Sequence, residues 1–546
     1  MTLVAIIFGS LSGILYSLLI PIIMTALDEF ELENNIIDPT VFKVFEGMYI
    51  EVFSPRLGFI FLLICLLIVL FKTVSQIILT RIGVELASSI RKSLFSKISL
   101  SSISSLESVS SNSLIQTITT DVLKLVVGAK LIPEILTQVI SVTGLLLFLL
   151  ILDVNYFISV LISIFIGIII FLVPSYFAQG LFQKARDDLD GIQDGFDALI
   201  NGSYELKLNE NKRHKYINET LFGFEESVVK KEKFAHTIVR SSLSIIDLLS
   251  FFVIGISIFI LTNYYSIAFS DLTAVVMILI YITGPIGFIL SALPHLAQAT
   301  VSLKKVEDFS RTLLPEDINY SSRNIMPFHE INVHNAVFRH NTNDNASGFT
   351  AGPVNISFKR NQISFIVGGN GSGKTSLLKM LSLHYTASEG EILFDQQKLC
   401  SDNITSYRQH FSCIYSKYYL FSDLHNYFDN PDQTTNEVNR LLKAFDLSEI
   451  VSFNEGKFST LDLSDGQKRR LALIVSFLDN KSVYIFDEWA ADQDPKFKET
   501  FYREILPYLR DQNKIVIAIT HDDRYFHLAD QVIEMERGVV RNHYYN

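Results

Sequence analysis

The chain has 546 residues, 49% of them hydrophobic and 19% charged, with a mean hydropathy of +0.31 and a formal net charge of −11. That length implies more than one domain, and the apolar balance excludes a disordered or fibrous chain. The acidic balance excludes nucleic-acid binding through a cationic surface. Cys65, Cys400 and Cys413 are spaced for neither a disulfide framework nor a zinc site and read as buried small hydrophobes.

Six apolar stretches reach the ~20 residues that a helix needs to cross a hydrocarbon core: about 3–27, 57–80, 131–152, 156–178, 241–262 and 272–293. The first lacks the cationic flank and cleavage pattern of a signal peptide and reads as a spanning helix. The connections 28–56, 153–155 and 264–271 hold only Lys43 and Arg56, whereas 81–130 and 179–240 are rich in Lys and Arg. That bias places the N-terminus and the long connections in the cytosol. Spaced apolar residues among the charges of 81–100 and 181–240 predict helices that continue out of the membrane. Their turns, near 109–120 and within 200–215, are expected to meet the domain that follows. Within the spans, Lys72 and Glu134 lie near the ends, where snorkelling suits them. Asp247 lies deeper and reads either as a cavity group meeting cargo or as a partner to a neighbouring helix. Pro21, Pro174 and Pro285 mark kinks.

Residues 1–300 are therefore expected to form a membrane domain. After Pro294 the chain turns polar and interrupted, and 301–325 reads as a linker. From 326 to 546 short β-rich runs alternate with helical ones, which predicts a parallel-sheet α/β domain.

Gly368-Gly369-Asn370-Gly371-Ser372-Gly373-Lys374-Thr375 fits G-x-x-x-x-G-K-[ST] between the apolar run Ile363–Val367 and a helical one. The glycines let backbone N–H groups curl around phosphate oxygens, and the helix that follows, carrying Ser376, adds positive potential at its start. Lys374 is placed to reach the β- and γ-phosphates of ATP, and Thr375 to ligate Mg²⁺. The run Val483–Phe486 reads as a buried strand ending in Asp487 and Glu488. Asp487 suits the Mg²⁺ shell, and Glu488 can polarise an attacking water. An apolar run ending in two acids is a common strand end; beside a phosphate loop the pair becomes specific.

Between these motifs lies Leu463-Ser464-Asp465-Gly466-Gln467, followed by the helical run Lys468–Leu478. This turn resembles the signature motif of ABC ATPases. The order of phosphate loop, signature, carboxylate strand and Thr520-His521 is similar to that superfamily's. The resemblance implies two nucleotide domains sandwiching two ATPs, with the signature of one facing the γ-phosphate bound by the other. It casts Ser464, Gly466 and Gln467 as contacts to the partner's ATP, Asp494 as the D-loop aspartate and His521 as the switch histidine. Read alone, His521 is a strand-end histidine bonded to a neighbouring carboxylate. The segments Glu488–Pro495, Phe501–Pro507 and Thr520–Phe526 resemble the cyclic-peptide exporter group, the syringomycin and pyoverdine exporter type. Val367–Gly373, Gly348–Pro353 and Tyr204–Asn209 fit the same group, and strong matching covers about 330–540.

Three positions depart from the general ABC pattern. Ser416 stands at the glutamine that approaches Mg²⁺ in most ABC ATPases, so it is expected at the Mg²⁺ site with a weaker or rearranged Mg²⁺ or water contact, a serine-like change that resembles the cyclic-peptide group. His340 stands at the adenine-stacking aromatic, with Phe349 as an alternative stacking partner. Asp465 stands where the signature usually has a small residue. A carboxylate 4 Å from a phosphate charge would be repelled by about 4 kcal/mol at an effective dielectric near 20, so its side chain is expected to turn to solvent.

The resemblance implies a type IV ABC exporter-like fold, six transmembrane helices fused to an α/β P-loop ABC ATPase domain, with ATP hydrolysis coupled to transport. The expected protein is a homodimeric half-transporter in the bacterial inner membrane, its ATPase domain cytosolic, using ATP and Mg²⁺. Its expected cargo is a peptide-like or siderophore-like metabolite; the bilayer is a partner and nucleic acid is not. A lipid flippase and a metal-chelate importer are same-fold alternatives. A nucleotide-gated regulator that does not turn over ATP is a different class, against which Glu488 argues.

Overall fold

The computed structural model describes residues 1–33, 40–45, 48–52, 54–264, 269–316, 327–339, 349–424 and 431–546. They divide into two units, Met1–Phe95 with Ser111–Phe309, and Ser96–Ser110 with Ser310–Asn546.

The elements up to Thr312 are α1 (Thr2–Glu33), a hairpin of β1 (Thr40–Phe45) and β2 (Met48–Val52), α2 (Pro55–Leu100), α3 (Ile103–Glu107), α4 (Ser111–Gln116), α5 (Val122–Leu152), α6 (Val154–Asn201), α7 (Ser203–Leu208), α8 (Glu210–Lys215), α9 (Phe222–Phe259) and α10 (Phe269–Thr312). Among the described residues six helical stretches are long and apolar enough to cross a membrane. The 46 residues of α2 rise about 70 Å, more than twice a hydrocarbon core of about 30 Å. Its second half, with Arg81, Arg91, Lys92 and Lys97, accordingly belongs in water.

Small residues line the contact between α1 and α5. Gly9, Gly13 and Ser17 recur every fourth residue along one face of α1. A Cβ at Gly9 would stand 2.5 Å from Thr137 Oγ1, one at Gly13 would stand 2.8 Å from Thr137 O, and one at Gly144 would stand 2.6 Å from Ser17 Oγ. The backbones of α1 and α5 approach because nothing bulky intervenes. Leu145, Leu149, Tyr156, Val160, Ala274 and Ile278 form an apolar core, whereas Leu62, Leu66 and Val69 of α2 face outward. Towards the helix tips, α6 is joined to α9 by an ion pair between Lys231 and Asp188 and to the turn before α9 by Tyr216 donating to Gly195 O at 3.0 Å.

The linker differs from expectation. α10 runs through Pro285 and Pro294 to Thr312, so 301–312 is helix, and 317–325 lies outside the described residues. A proline removes one backbone donor without ending a helix whose neighbours hold it. Here Ala299 packs on Gly128, and Ser302 Oγ donates to the buried Asp121 carboxylate at 2.8 Å. The side chain of Asp247 also lies outside the described residues. All three cysteines are free; Cys65 and Cys413 are half-buried, but Cys400 is exposed on the turn after a short strand, so the buried reading does not extend to it.

The second unit takes in the end of α2 and α3. Ser102 N donates to Leu314 O at 3.0 Å and Glu316 N to Leu100 O at 2.9 Å. Glu107, closing α3, pairs with Lys379 Nζ at 2.5 Å and accepts from Tyr385. This contact, through 103–107, lies just ahead of the turn expected near 109–120; Ser110 ends the stretch that belongs to the second unit, and Ser111–Gln116 belongs to the first.

The remaining strands are β3 (Glu330–Arg339), β4 (Thr350–Lys359), β5 (Gln362–Val367), β6 (Glu389–Phe394), β7 (Gln397–Lys398), β8 (Phe411–Ile414), β9 (Phe453–Asn454), β10 (Lys457–Phe458), β11 (Val483–Asp487), β12 (Ile515–Ile519), β13 (Gln531–Glu536) and β14 (Val539–Tyr545). The helices are α11 (Lys374–Leu381), α12 (Ile404–Arg408), α13 (Pro431–Ala444), α14 (Asp465–Asp479), α15 (Pro495–Thr500) and α16 (Leu506–Asp511). β9 and β10 pair as a small antiparallel ribbon. A larger antiparallel sheet has the order β4-β3-β6-β7, and a six-stranded sheet the order β14-β13-β5-β12-β11-β8, parallel from β13 to β8.

Both faces of the parallel sheet are covered. Phe365, Tyr484, Phe486, Val516 and Ala518 enter one core, while Ile366, Val483, Ile485, Ile515 and Ile517 enter the other. This burial on two sides is why these strands read as continuous apolar runs. The pairing of Asp487 with Ile519, Ile519 with Ile366 and Phe486 with Ile414 brings the C-terminal ends of β5, β8, β11 and β12 to one edge. In parallel α/β sheets that edge is where ligands bind.

Candidate active site

After β5 the chain turns through Gly368, Gly371 and Gly373 at φ of +148°, +76° and +97°. A Cβ at Gly368 would lie 2.3 Å from Met535 O, so both conformation and space demand glycine there. α11 then starts at Lys374, its free N–H groups turned to the loop. Lys374 is buried, and its Nζ donates to Gly368 O at 2.8 Å and Gly369 O at 3.0 Å. Burial pushes its pKa down, opposed by Glu488 and Asp487. The Ser372 hydroxyl is buried without a hydrogen-bond partner. Phe349, the residues from Asn370 to Ser376 and Glu488 line a cleft of about 310 Å³. An ammonium held by carbonyls, an orphan hydroxyl and a helix start form a cradle that suits phosphate oxygens.

Asp487 ends β11, 2% exposed, and accepts from Ser416 N at 3.3 Å. Burial raises its pKa, with the Ser416 bonds and Lys374 acting against that rise. Mg²⁺ keeps several waters and phosphate oxygens and needs only one or two protein oxygens. Asp487 and Thr375 fit that demand; among the described residues no group of three or more His, Cys, Asp or Glu forms an all-protein cage. Ser416 stands beside the Asp487 carboxylate, because the turn after β8 points its N–H at the end of β11.

Glu488 sits at φ +52°, and His521, just past β12, places Nε2 2.8 Å from its Oε1. The phosphate loop, Asp487, Glu488 and His521 thus stand at adjacent strand ends. A non-glycine residue in the left-handed region costs of order 1–3 kcal/mol and persists where its surroundings fix it. Arg469 does so here. Its Nη1 donates to Glu488 O and, at 2.8 Å, to Trp489 O, while Nη2 reaches Asp492 Oδ2 at 2.6 Å. The Trp489 indole returns a bond to Arg469 O at 3.0 Å and stacks on Phe501. Motif reading missed Arg469; its one signal is a charge on the inward face of α14, beside buried Leu471, Ala472 and Leu473. On the far side of His521, Asp522 is held well below the usual carboxylate range by Arg524 and Lys498, and Thr520 bonds Tyr502 at 2.6 Å.

Ser464 and Gln467 form a capping box at the start of α14. Ser464 Oγ accepts from Gln467 N at 3.4 Å, and Gln467 Oε1 accepts from Ser464 N at 3.0 Å. That closure leaves a 15-residue helix with a defined positive end. Asp465 is exposed. Gln493 Nε2 donates to Gly466 O at 3.0 Å, tying the signature turn to the segment before Asp494. Asp494 caps α15 through Phe497 N at 2.9 Å and pairs with Arg470 at 2.5 Å, so within one chain its carboxylate serves local structure. His340 lies outside the described residues. Phe349 is 39% exposed, with its ring 3.1 Å from where a Cβ of Gly373 would be, so the alternative stacking residue borders the phosphate cleft.

These features define an ATPase of the ABC type fused to a multi-pass membrane unit. A family profile described as ABC transporter matches residues 351–491. The ATP-binding protein SyrD of Pseudomonas syringae pv. syringae is 30% identical over 385 residues, covering 69% of this chain and 68% of its own. The energy-coupling factor transporter ATP-binding protein EcfA1 of Staphylococcus aureus (strain MSSA476) is 29% identical over 205 residues, 36% of this chain and 74% of its own. The fold is similar to that of a bacterial Atm1-family ABC exporter solved with ATP bound, with a TM-score of 0.75 and 17% identity over 99% of this chain and 94% of that one. The chain belongs to the ABC transporter family. It has the exporter fold and couples ATP hydrolysis to transport.

Proposed function

We propose that two copies of this chain form an exporter that moves a peptide-like or siderophore-like metabolite out across the bacterial inner membrane. One observation carries the two-copy reading. The cleft of the phosphate loop contains Glu488 but, among its described lining residues, no part of the capped signature turn Ser464–Gln467. Each site is therefore half built in one chain, and the exposed start of α14 is a ready anion site for a nucleotide held by the other copy. Tyr204 and Leu208, almost fully exposed on α7, fit docking to a nucleotide domain of that copy.

In this reading Lys374, the loop N–H groups and Ser372 hold the phosphates, and Phe349 or His340 meets the adenine. Mg²⁺, held by Thr375 and Asp487, would supply charge neutralisation at the β- and γ-oxygens. Glu488 orients the attacking water and takes its proton, while the His521 bond fixes which carboxylate oxygen faces the γ-phosphate. Closure of two such domains around ATP and their release after hydrolysis bias the helices of the membrane unit. The cyclic-peptide exporter resemblance supports the cargo class.

The test is phosphate release by the reconstituted protein against Glu488→Gln. Turnover is expected to drop by about 10²–10⁴-fold, and Glu488→Gln is expected to accumulate as an ATP-bound dimer by light scattering. Equal turnover removes Glu488 from the reaction, and a monomer at saturating ATP and Mg²⁺ removes the shared site. Uptake of candidate metabolites into inside-out vesicles, with ATP and without, tests the cargo.

A further inference from the structure

The membrane unit contains a cavity of about 710 Å³ among α1, α2, α5 and α10, within the size range of small-molecule sites. Its wall is mixed: apolar side chains such as Leu19, Ile20 and Ile280 alternate with polar ones, Ser12, Tyr16, Lys72, Gln138 and Tyr281 among them. Among the described residues no acidic side chain lines it and no carboxylate pairs with Lys72. The Lys72 Nζ stands 5.8 Å from the centroid of the Tyr16 ring. The Tyr16 and Tyr281 rings lie 5.8 Å apart, centroid to centroid. Ser12 is 0% exposed, and among the described residues its hydroxyl has no hydrogen-bond partner although it borders the cavity.

These features call for one kind of occupant. A cation within a membrane span is retained where something offsets its desolvation. A ring face gives attraction but accepts no strong N–H bond, so the ammonium keeps donors to spare. A carboxylate satisfies them with short, charge-assisted bonds. The orphan Ser12 hydroxyl and the Gln138 amide suit amide groups beside that carboxylate, and two tyrosine faces beside Leu19, Ile20 and Ile280 suit a ring or an acyl chain. We propose that this cavity receives an amphipathic carboxylate of the acylated amino acid or short acidic peptide class, its acid group at Lys72. The assignment rests on the transport reading above and narrows its cargo.

The test measures equilibrium binding of radiolabelled N-decanoyl-phenylalanine and of its methyl ester to the full-length protein in phosphatidylcholine nanodiscs, without ATP. The acid is expected to bind at least about tenfold tighter than the ester, as one charge-assisted bond requires. Lys72→Met is expected to bring the acid down to the ester's affinity, Lys72→Arg to keep the preference, and Ser12→Ala to weaken both ligands. Equal affinities in the unaltered protein, or an acid preference that survives Lys72→Met, would overturn the proposal. So would displacement of the acid by phosphatidylglycerol added to the nanodisc, which would assign the cation to a lipid headgroup. Should Lys72→Met fail to reconstitute, the acid and ester comparison in the unaltered protein and in Lys72→Arg decides alone. Loss of the acid preference with Glu488-dependent ATPase intact removes the cargo class only. ATPase that ignores Glu488→Gln removes the transport reading and leaves the binding result standing.

Discussion

The two units obey opposite packing logics. In the ATPase unit every residue from Val483 to Asp487 is buried, and polar groups with chemical work stand at strand ends. In the membrane unit Leu62, Leu66 and Val69 face outward at 57%, 60% and 62% exposure, while Ser12, Ser141 and the α1 glycines face inward. The difference lies in the solvent. Against water, apolar burial drives a core together; against lipid tails it drives nothing, so helices join where small residues let backbones approach and polar groups meet.

Paired truncations test that contrast most severely. Phe365→Ala, deep in the ATPase sheet, is expected to cost about 3–5 kcal/mol, whereas Leu66→Ala on the outer face of α2 should leave stability nearly unchanged. Both are read from denaturant unfolding in detergent, and similar losses would break the comparison. Gly13→Val reverses the logic. An added side chain meets Thr137 O, and a loss of about 1–3 kcal/mol is expected in the membrane unit while nucleotide affinity stays the same.

Within the ATPase unit, Arg469→Lys keeps the charge but loses the fork that holds Glu488 O, Trp489 O and Asp492 together. We expect kcat for ATP to fall about tenfold with KM little changed, the pattern of a group that matters only in the transition state. A matched rise in KM would instead assign Arg469 to ground-state binding.

The smallest expected effect depends on pH. Burial raises the Asp487 pKa above its unfolded value, so folding is penalised where the carboxylate must be charged. Stability from this group therefore falls as pH rises from the ordinary carboxylate range through the raised folded value. Asp487→Asn removes the penalty. The nucleotide-free protein should melt slightly higher at pH 7 and at an unchanged temperature near pH 3, while ATPase is lost. A lower melting temperature at pH 7 would mean that the Ser416 and Lys374 contacts outweigh burial.

Much of the site was legible because its chemistry is local in the chain. The run from Gly368 to Ser376 carries its own turn geometry, and Leu463–Gln467 shows its resemblance to the signature motif in five consecutive residues. Asp487, Glu488 and His521 each follow an apolar run that must be a strand. Arg469 was not legible, since its partners lie 19 to 23 residues away and only the fold brings its guanidinium under Glu488. The continuation of α10 past Pro294 was hidden for the same reason: Asp121, which receives Ser302, is remote in sequence. Glu107 reads as an ordinary solvated acid until Lys379 and Tyr385 are placed beside it.

By itself the sequence determined that six segments are apolar enough to span a membrane and that the C-terminal half grips a triphosphate. Both follow from short-range rules, the length of an apolar run and the backbone freedom of a glycine loop. Only the tertiary structure decided which strand ends lie side by side, what holds Glu488 in its left-handed turn, and that Lys72 shares a cavity with Tyr16 and Tyr281. Those are meetings of residues far apart in the chain, set by how faces of helices and strands pack, and no local pattern encodes them.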